Sequence, residues 1–491
     1  MESREFTGIW ECVEEDNGTY GNLSFSPSEG SELTNVNSLD SSDDQFQMMA
    51  NASEGTASRH EIVKGRDVSG NPITLLDVVK NNTSLGWTNA GGMGGESTYR
   101  VSQIIVGEWF DQTPKFDYLK TKLPQLEEWA RIVGVSQDME VEESPENDFV
   151  KVKPGDKFKL SLEMPESIEA DVGDFNVSLE ATAHTEVEGI AEKTLRADLY
   201  LKIESDEPEE LEALREKMRK VQNFISFGMM KTLQPTEIKA GWNEEERKDV
   251  EILRKINLDL IPEKLPHPHH MTFTMADISE DFEEILNKWF ESYEELKPVF
   301  DLYFSTLYSP QMYVENKLMS IAHALESYFR KTEEATYLDD DWEDVYDDFV
   351  EFMHGDAQSL TPEDTELDNL QEKYNLDSDF RSHMKNGTLK YANEYSLRKM
   401  IKELTQEHED ILEGIRHNPI DKSGLIADTR NYLVHRTDEL RESCAIDNKE
   451  QIKLTWGIRM LLEVCILRDL GINDEQIKER IGSRYENKRL S

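Results

Sequence analysis

Apolar positions along this chain change their period twice, and each change marks a different kind of structure. Up to about residue 150, short apolar runs such as Ile73-Thr74-Leu75-Leu76 and Val101-Ser102-Gln103-Ile104-Ile105-Val106 stand between clusters of Gly, Asn and Ser. Those are turn formers, so this segment reads as β-rich. From 155 to 205 the alternation becomes strict: Phe158, Leu160 and Leu162, then Phe175, Val177 and Leu179, then Leu195, Ala197, Leu199, Leu201 and Ile203. Side chains two apart share a strand face, which predicts half-buried antiparallel strands. The period then switches. Leu211, Leu214, Met218, Val221 and Ile225 are spaced 3, 4, 3 and 4 apart, a helix with one apolar stripe. Residues 235–275 are irregular and contain prolines, which predicts loop. Beyond about 277 the pattern is mainly helical. Phe282, Ile285, Leu286, Trp289, Phe290 and Tyr293 mark one helix and Met312 to Arg330 another, with later ones over roughly 393–414, 422–441 and 450–470. No fixed-period repeat is visible. The pattern predicts an α+β multidomain chain. A β-rich domain over 1–150 is followed by β-strands and a helical connector over 151–305, then by an all-α helical bundle over 306–491.

Composition narrows the setting. A length of 491 residues makes a single core unlikely on size grounds, and 37% apolar residues are enough to fold. No apolar stretch approaches the roughly 20 residues of a membrane span, and MESREFTGIW has no basic-then-apolar signal pattern. Cys12, Cys444 and Cys465 cannot build a disulfide framework, so a cytoplasmic setting is expected. The formal charge is −47, from 101 acids against 54 bases. One reading is a protein that repels nucleic acid; the other is a halophilic surface, where carboxylates hold hydration and salt screens their repulsion. The charge is spread widely but spares one end. Residues 430–491 hold 12 Lys and Arg against 11 Asp and Glu, leaving −48 on the other 429 residues. That distribution favours the halophilic reading.

Most enzyme signatures are missing. Gly91-Gly92-Met93-Gly94-Gly95 lacks the Gly-Lys-Ser/Thr of a phosphate loop and reads as an inter-strand loop. His267-Pro268-His269-His270 has prolines in place of regular ligand spacing and reads as loop, with a metal-dependent hydrolase as the competing idea. His408-Glu409 opens a false zincin, because position 412 is Leu. Asp339 to Asp348 holds seven acids in ten residues and reads as a solvated helix face. One segment carries chemistry: Ala427-Asp428-Thr429-Arg430-Asn431-Tyr432-Leu433-Val434-His435-Arg436. Asn431 and His435 are four apart and share a helix face; Arg430 and His435 are five apart, about 140° around the axis. Imidazole, with an ordinary pKa of about 6.5, can move the proton of a ribose 2′-OH or of the leaving 5′-oxygen. A guanidinium fork can hold the phosphate and its developing charge, and the amide can fix either partner. The set needs neither metal nor cofactor. The competing structural reading is an Arg and a His at a packed helix surface.

Arg430-Asn431-x-x-x-His435 on a late helix resembles the HEPN superfamily of ribonucleases. Leu318 to Arg330, with its Ala324-Leu325-Glu326 and trailing Arg, looks like the first HEPN helix of the ApeA-like branch, and Asn393-Glu394-Tyr395-Ser396-Leu397-Arg398 resembles the next. Gly8-Ile9-Trp10, Gly21-Asn22-Leu23, Ile73-Thr74-Leu75-Leu76 and Ile105-Val106-Gly107 resemble the β-rich domain that precedes HEPN in that branch. The stretch from Met271 through Trp289 to Tyr303 looks like its connector. The resemblance implies an abortive-infection antiviral effector, a metal-independent endoribonuclease triggered by phage infection, with transfer RNA a reasonable substrate. It implies catalytic roles for Arg430, Asn431 and His435, with Glu326 in support. It implies homodimers in which two Arg-x4-His motifs line one cleft, and a phage-derived trigger or regulator acting at the N-terminal half. No membrane partner is implied. Toxins silenced by nucleotidylation often carry Tyr two residues after the His; here that residue is Thr437. The competing function is a sensing or binding protein that uses HEPN as a non-catalytic scaffold.

Overall fold

Alternation closes the first strands into a barrel. In β2 (Thr19–Ser26) and β3 (Gly30–Asn35), and in β1 (Arg4–Cys12) from Gly8 onward, buried side chains alternate with more exposed ones. With β4 (Arg59–Asp67), β5 (Pro72–Trp87) and β6 (Met93–Val106) they run in the order β6-β3-β2-β1-β4-β5, and β5 pairs back onto β6. All six contacts are antiparallel. Trp10, Leu23, Phe25, Leu33, Val63, Leu75 and Tyr99 fill the interior. So few strands leave room for side chains and none for a ligand channel. Gly65 pairs with Trp10 across β1 and β4, and a Cβ there would stand 2.1 Å from the indole, so only glycine admits the ring. The indole N–H donates to the Gly21 carbonyl at 3.3 Å.

The computed structural model describes residues 1–13, 18–36, 39, 58–87, 93–132, 134–140, 157–188, 192–244, 247–261, 267–338, 342–347 and 383–486. It divides into two compact units, residues 1–291 and 292–491. In the first unit the barrel strand β6 also pairs with β14 (Val250–Leu253). From there the same twelve-stranded sheet continues through β13 (Glu237–Gly241), β7 (Lys115–Lys122), β12 (Glu192–Glu210), β11 (Phe175–Glu188) and β10 (Ile168–Val172). β13 and β14 correct the expectation of loop over 235–275. Ile238 with Ala240, and Val250 with Ile252, are buried at alternate positions, runs too short for periodicity to reveal. β8 (Gly134–Glu140) and β9 (Lys157–Glu163) form a separate two-stranded pair. Leu160 there is 51% exposed, so the expected half-buried face does not hold for β9. Met93–Gly95 extends β6; residues 91 and 92 lie outside the described residues.

Helices back this second part of the sheet. α1 (Leu126–Ala130) carries Trp129. α2 (Leu211–Met229) lays its predicted stripe, buried throughout, on β7 and β12. α3 (Met275–Ile278) opens with a Thr274–Asp277 capping box, and α4 (Phe282–Glu295) brings Trp289. Trp129, Phe224, Phe227, Phe273 and Trp289 make one aromatic cluster with ring centres 5.0–6.5 Å apart.

The second unit is helical. It contains α5 (Lys297–Tyr308), α6 (Val314–Thr332), α7 (Leu397–Glu407), α8 (Glu409–Leu412), α9 (Ser423–His435), α10 (Asp438–Ser443), α11 (Asn448–Asp469) and α12 (Asp474–Glu486). α11 is buried along most of its length, without a break from Met460 to Leu467. On it sits Glu463, with no solvent access. The Tyr303 and Tyr485 hydroxyls donate to its carboxylate at 2.8 and 3.0 Å, and Arg484 pairs with it. A buried carboxylate is tolerated when its lone pairs are filled in this way. Of the acidic run Asp339 to Asp348, residues 342–347 are helical and the others lie outside the described residues.

Candidate active site

α9 owes its orientation to three buried side chains, Ser423, Ile426 and Thr429. The Thr429 hydroxyl donates to the Leu425 carbonyl at 2.6 Å and accepts the Ala445 N–H at 2.9 Å, while Gln451 donates to the Ala445 carbonyl at 2.8 Å. These bonds fix the rotation of the helix. At roughly 100° per residue, Gly424, Asn431 and His435 then share the opposite face. Thr429 was not among the expected site residues; a small polar side chain one position before Arg430 is a weak signal without its buried partners.

Arg430 leaves α9 sideways. Its Nη2 donates to Glu326 Oε2 at 2.8 Å and its Nη1 to Asn431 Oδ1 at 3.1 Å. The Arg430 side chain is 31% exposed and that of Glu326 12%. Glu326 is presented by α6, whose Leu318, Ile321, Ala322, Leu325, Tyr328 and Phe329 are buried. Residues 104 positions apart in sequence therefore meet as a charge-assisted pair, with Asn431 completing the fork.

His435 is the last residue of its helix. The expected single helix over 422–441 is broken here, because Arg436 adopts a left-handed conformation (φ 54°) and its N–H caps the Tyr432 carbonyl at 2.8 Å. The Arg436 guanidinium lies 5.3 Å from the centre of the Tyr432 ring. The His435 side chain is exposed and makes no hydrogen bond to another described residue. The structure thus joins Arg430, Asn431 and Glu326 in one hydrogen-bonded trio and leaves His435 free at the helix end.

Residues 5–289 match the family described as ApeA N-terminal domain 1, and residues 319–476 match Apea-like HEPN. The chain belongs to the ApeA family. Its second match supplies the HEPN domain of a HEPN-type antiphage effector and contains Glu326, Arg430, Asn431 and His435. No curated protein and no solved structure matches. The two matches follow the two compact units closely. The ApeA N-terminal match takes in the barrel and the helix-backed sheet, and the HEPN match begins within α6 and ends early in α12.

Other places in the ApeA-family chain offer less. A 430 Å³ cavity in the first unit is lined by Glu169, Glu180, Glu204 and Asp206 with Lys202, and holds none of the expected residues. Burial works against ionisation of Glu180, yet hydrogen bonds and charge from Lys120 and Lys202 keep its carboxyl below the usual range. This is a solvated lattice of paired charges. The His267–His270 tract forms a short 3-10 turn with the His267 and His269 rings stacked at 5.0 Å. Among the described residues no group of three His, Cys, Asp or Glu side chains is arranged to hold a metal ion, and no helix is long and apolar enough to cross a membrane.

Proposed function

We propose that the C-terminal unit is an endoribonuclease acting without metal, and that the chain is an abortive-infection effector. The observation that carries this reading is the trio of Arg430, Asn431 and Glu326 beside a free, exposed His435 at the end of the same helix. His435 takes the proton of the 2′-OH or returns one to the leaving 5′-oxygen. The 2′-oxygen attacks phosphorus, the P–O5′ bond breaks, and the products are a 2′,3′-cyclic phosphate and a 5′-hydroxyl. Arg430 holds the non-bridging oxygens, and Glu326 keeps its guanidinium in place.

Within one chain α9 separates Arg430 from His435 by about 7.5 Å of rise and 140° of rotation. A second copy opposing its own α9 brings further Arg430 and His435 side chains to one cleft, which is why the reading includes a homodimer. A phage-derived trigger acts at the N-terminal unit, and a transfer RNA is a substrate whose single cut stops translation.

Expression of the full chain tests this directly. His435→Ala and Arg430→Ala should each abolish RNA cleavage and growth arrest, with cleavage by the unsubstituted chain persisting in EDTA. Sequencing of RNA ends after induction should find 5′-hydroxyl and cyclic-phosphate termini that vanish in His435→Ala. Phage protection that survives both substitutions would replace this reading with a non-catalytic sensing protein on a HEPN scaffold. Loss of cleavage in EDTA would turn attention to the metal-hydrolase alternative.

A further inference from the structure

Ser178 lies in the middle of β11, between Val177 and Leu179, which are both buried. Side chains alternate along a strand, so Ser178 points to the opposite face of the sheet. There its cross-strand neighbours are Glu169 on β10 and Lys202 on β12, and Asn176 and Glu180 flank it along its own strand. One short side chain among longer ones leaves a hollow, and Ser178 lines the 430 Å³ cavity that results. It is only 6% exposed, and its hydroxyl makes no hydrogen bond to another described residue. Buried hydroxyls are as a rule bonded, so an unfilled one on the floor of a cavity points to a partner from outside the chain.

The walls say what kind of partner. Four acids line the cavity against one lysine. That lysine is already engaged: Lys202 Nζ lies 2.6 Å from Glu204, 3.6 Å from Glu180 and 4.6 Å from the centre of the Tyr118 ring. Glu180 also takes Lys120 at 2.6 Å, and Glu204 accepts the Asn243 amide at 2.9 Å. Two acids are left over. Asp206 pairs with no described residue through its carboxylate, and Glu169 receives only the Ser167 hydroxyl at 2.6 Å. Acids on a wall are ordinary in a chain of charge −47; a buried, unfilled hydroxyl facing them is not. Floor and rim therefore offer acceptors and negative charge with no cation left to meet them. The volume suits a small organic group, larger than a bare ion.

We propose that this cavity binds an organic cation, the ammonium or guanidinium end of a free amine or of a basic side chain. The Ser178 hydroxyl accepts a hydrogen bond from it at the floor, and Asp206 and Glu169 balance its charge at the rim. Every residue involved belongs to the first unit, so the site stands whether or not the second unit cuts RNA.

The test is titration calorimetry on the full chain at one fixed KCl concentration. The probes are cadaverine, spermidine and a blocked arginine peptide, with pentanediol as the uncharged analogue of cadaverine. A cationic probe should bind once per chain, and pentanediol should not bind. Binding of a free amine identifies a small-molecule ligand; binding of the peptide alone identifies a basic side chain of a protein. Ser178→Ala should weaken binding roughly tenfold, the scale of one hydrogen bond to a charged group. Asp206→Asn should weaken it about threefold, as expected of an exposed charge. Ser178→Leu fills the hollow and should abolish binding, and Ser178→Ala keeps the test open if the larger side chain disturbs the strand. Glu5→Gln removes an exposed acid from the barrel and should change nothing. The proposal is overturned if no cationic probe binds, if pentanediol binds equally well, or if the Ser178 variants bind as the unsubstituted chain does. A loss in Glu5→Gln equal to that in Asp206→Asn overturns it too, because the attraction is then only the diffuse charge of the whole chain.

Discussion

Glu326 is the residue whose role the structure changed most. The family resemblance placed it only in support of Arg430, Asn431 and His435. Its carboxylate is mostly buried and receives Arg430 Nη2 at 2.8 Å within one chain, so on the proposed ribonuclease reading it is a positioning residue. Glu326→Ala should lower kcat roughly ten- to a hundredfold, the scale of a misplaced catalytic group, while KM moves little. Glu326→Gln keeps an acceptor oxygen and should recover part of that loss. Neither change should cost more than about 1 kcal/mol of stability, since Arg430 retains access to water. Equal activity in all three chains would reduce the pair to a surface contact. Arg430, Asn431 and His435 were legible because a helix converts spacing into direction.

Among the elements, the C-terminal ends of α6, α7 and α11 converge around acids. Glu333 caps α6, Glu407 ends α7 and Asp469 ends α11, each at the negative end of a helix dipole. The Tyr328 hydroxyl donates to Asp469 at 2.6 Å, and Arg468 reaches Asp410, Asp474 and the ring nitrogen of His408. Burial, with the charge of Glu407, raises the Asp469 carboxyl above its ordinary range. Burial and the charges of Glu407 and Asp469 do the same to Glu333. A carboxyl raised in the folded state favours folding at low pH, and that contribution is lost as pH rises through its folded value. Asp469→Asn keeps an acceptor for Tyr328 and removes the charge. It should raise the melting temperature at neutral pH, and the difference should close as pH falls towards about 4. High salt should shrink the gain, because Asp469 is solvent-accessible. A gain that persists at pH 4 would point to packing instead. Burial also lowers the His408 pKa, so acidification below about 6.5 works against the fold there, and the Asn variant must be compared with its parent at each pH.

For the whole molecule the −47 charge sets the conditions under which everything else is measured. If the acids hold hydration and repel one another, the melting temperature should climb steadily as KCl rises from about 0.1 M, over which the Debye length falls from roughly 10 Å towards 3 Å at 1 M. A melting temperature that falls with salt would mean that paired charges dominate, and the high-salt expectation would go with it. On the proposed ribonuclease reading, RNA binding should weaken over the same titration, because the nearly neutral C-terminal stretch offers only a few local cations to phosphate.

The sequence by itself determined the class of each half, the stripe of α2, and the placing of Arg430, Asn431 and His435 on one helix. Each of these depends on period and spacing within some twenty residues, where backbone geometry alone translates sequence into direction. Tertiary structure decided the rest. Barrel closure depends on β5 returning to β6, and the capture of β14 joins residues about 150 positions apart. The stop at Arg436, which leaves His435 at a helix end, follows a non-glycine residue that local preference would keep helical. The pairing of Arg430 with Glu326 brings together side chains from different helices. Such contacts are set by how buried faces pack against one another, and no local pattern carries that information.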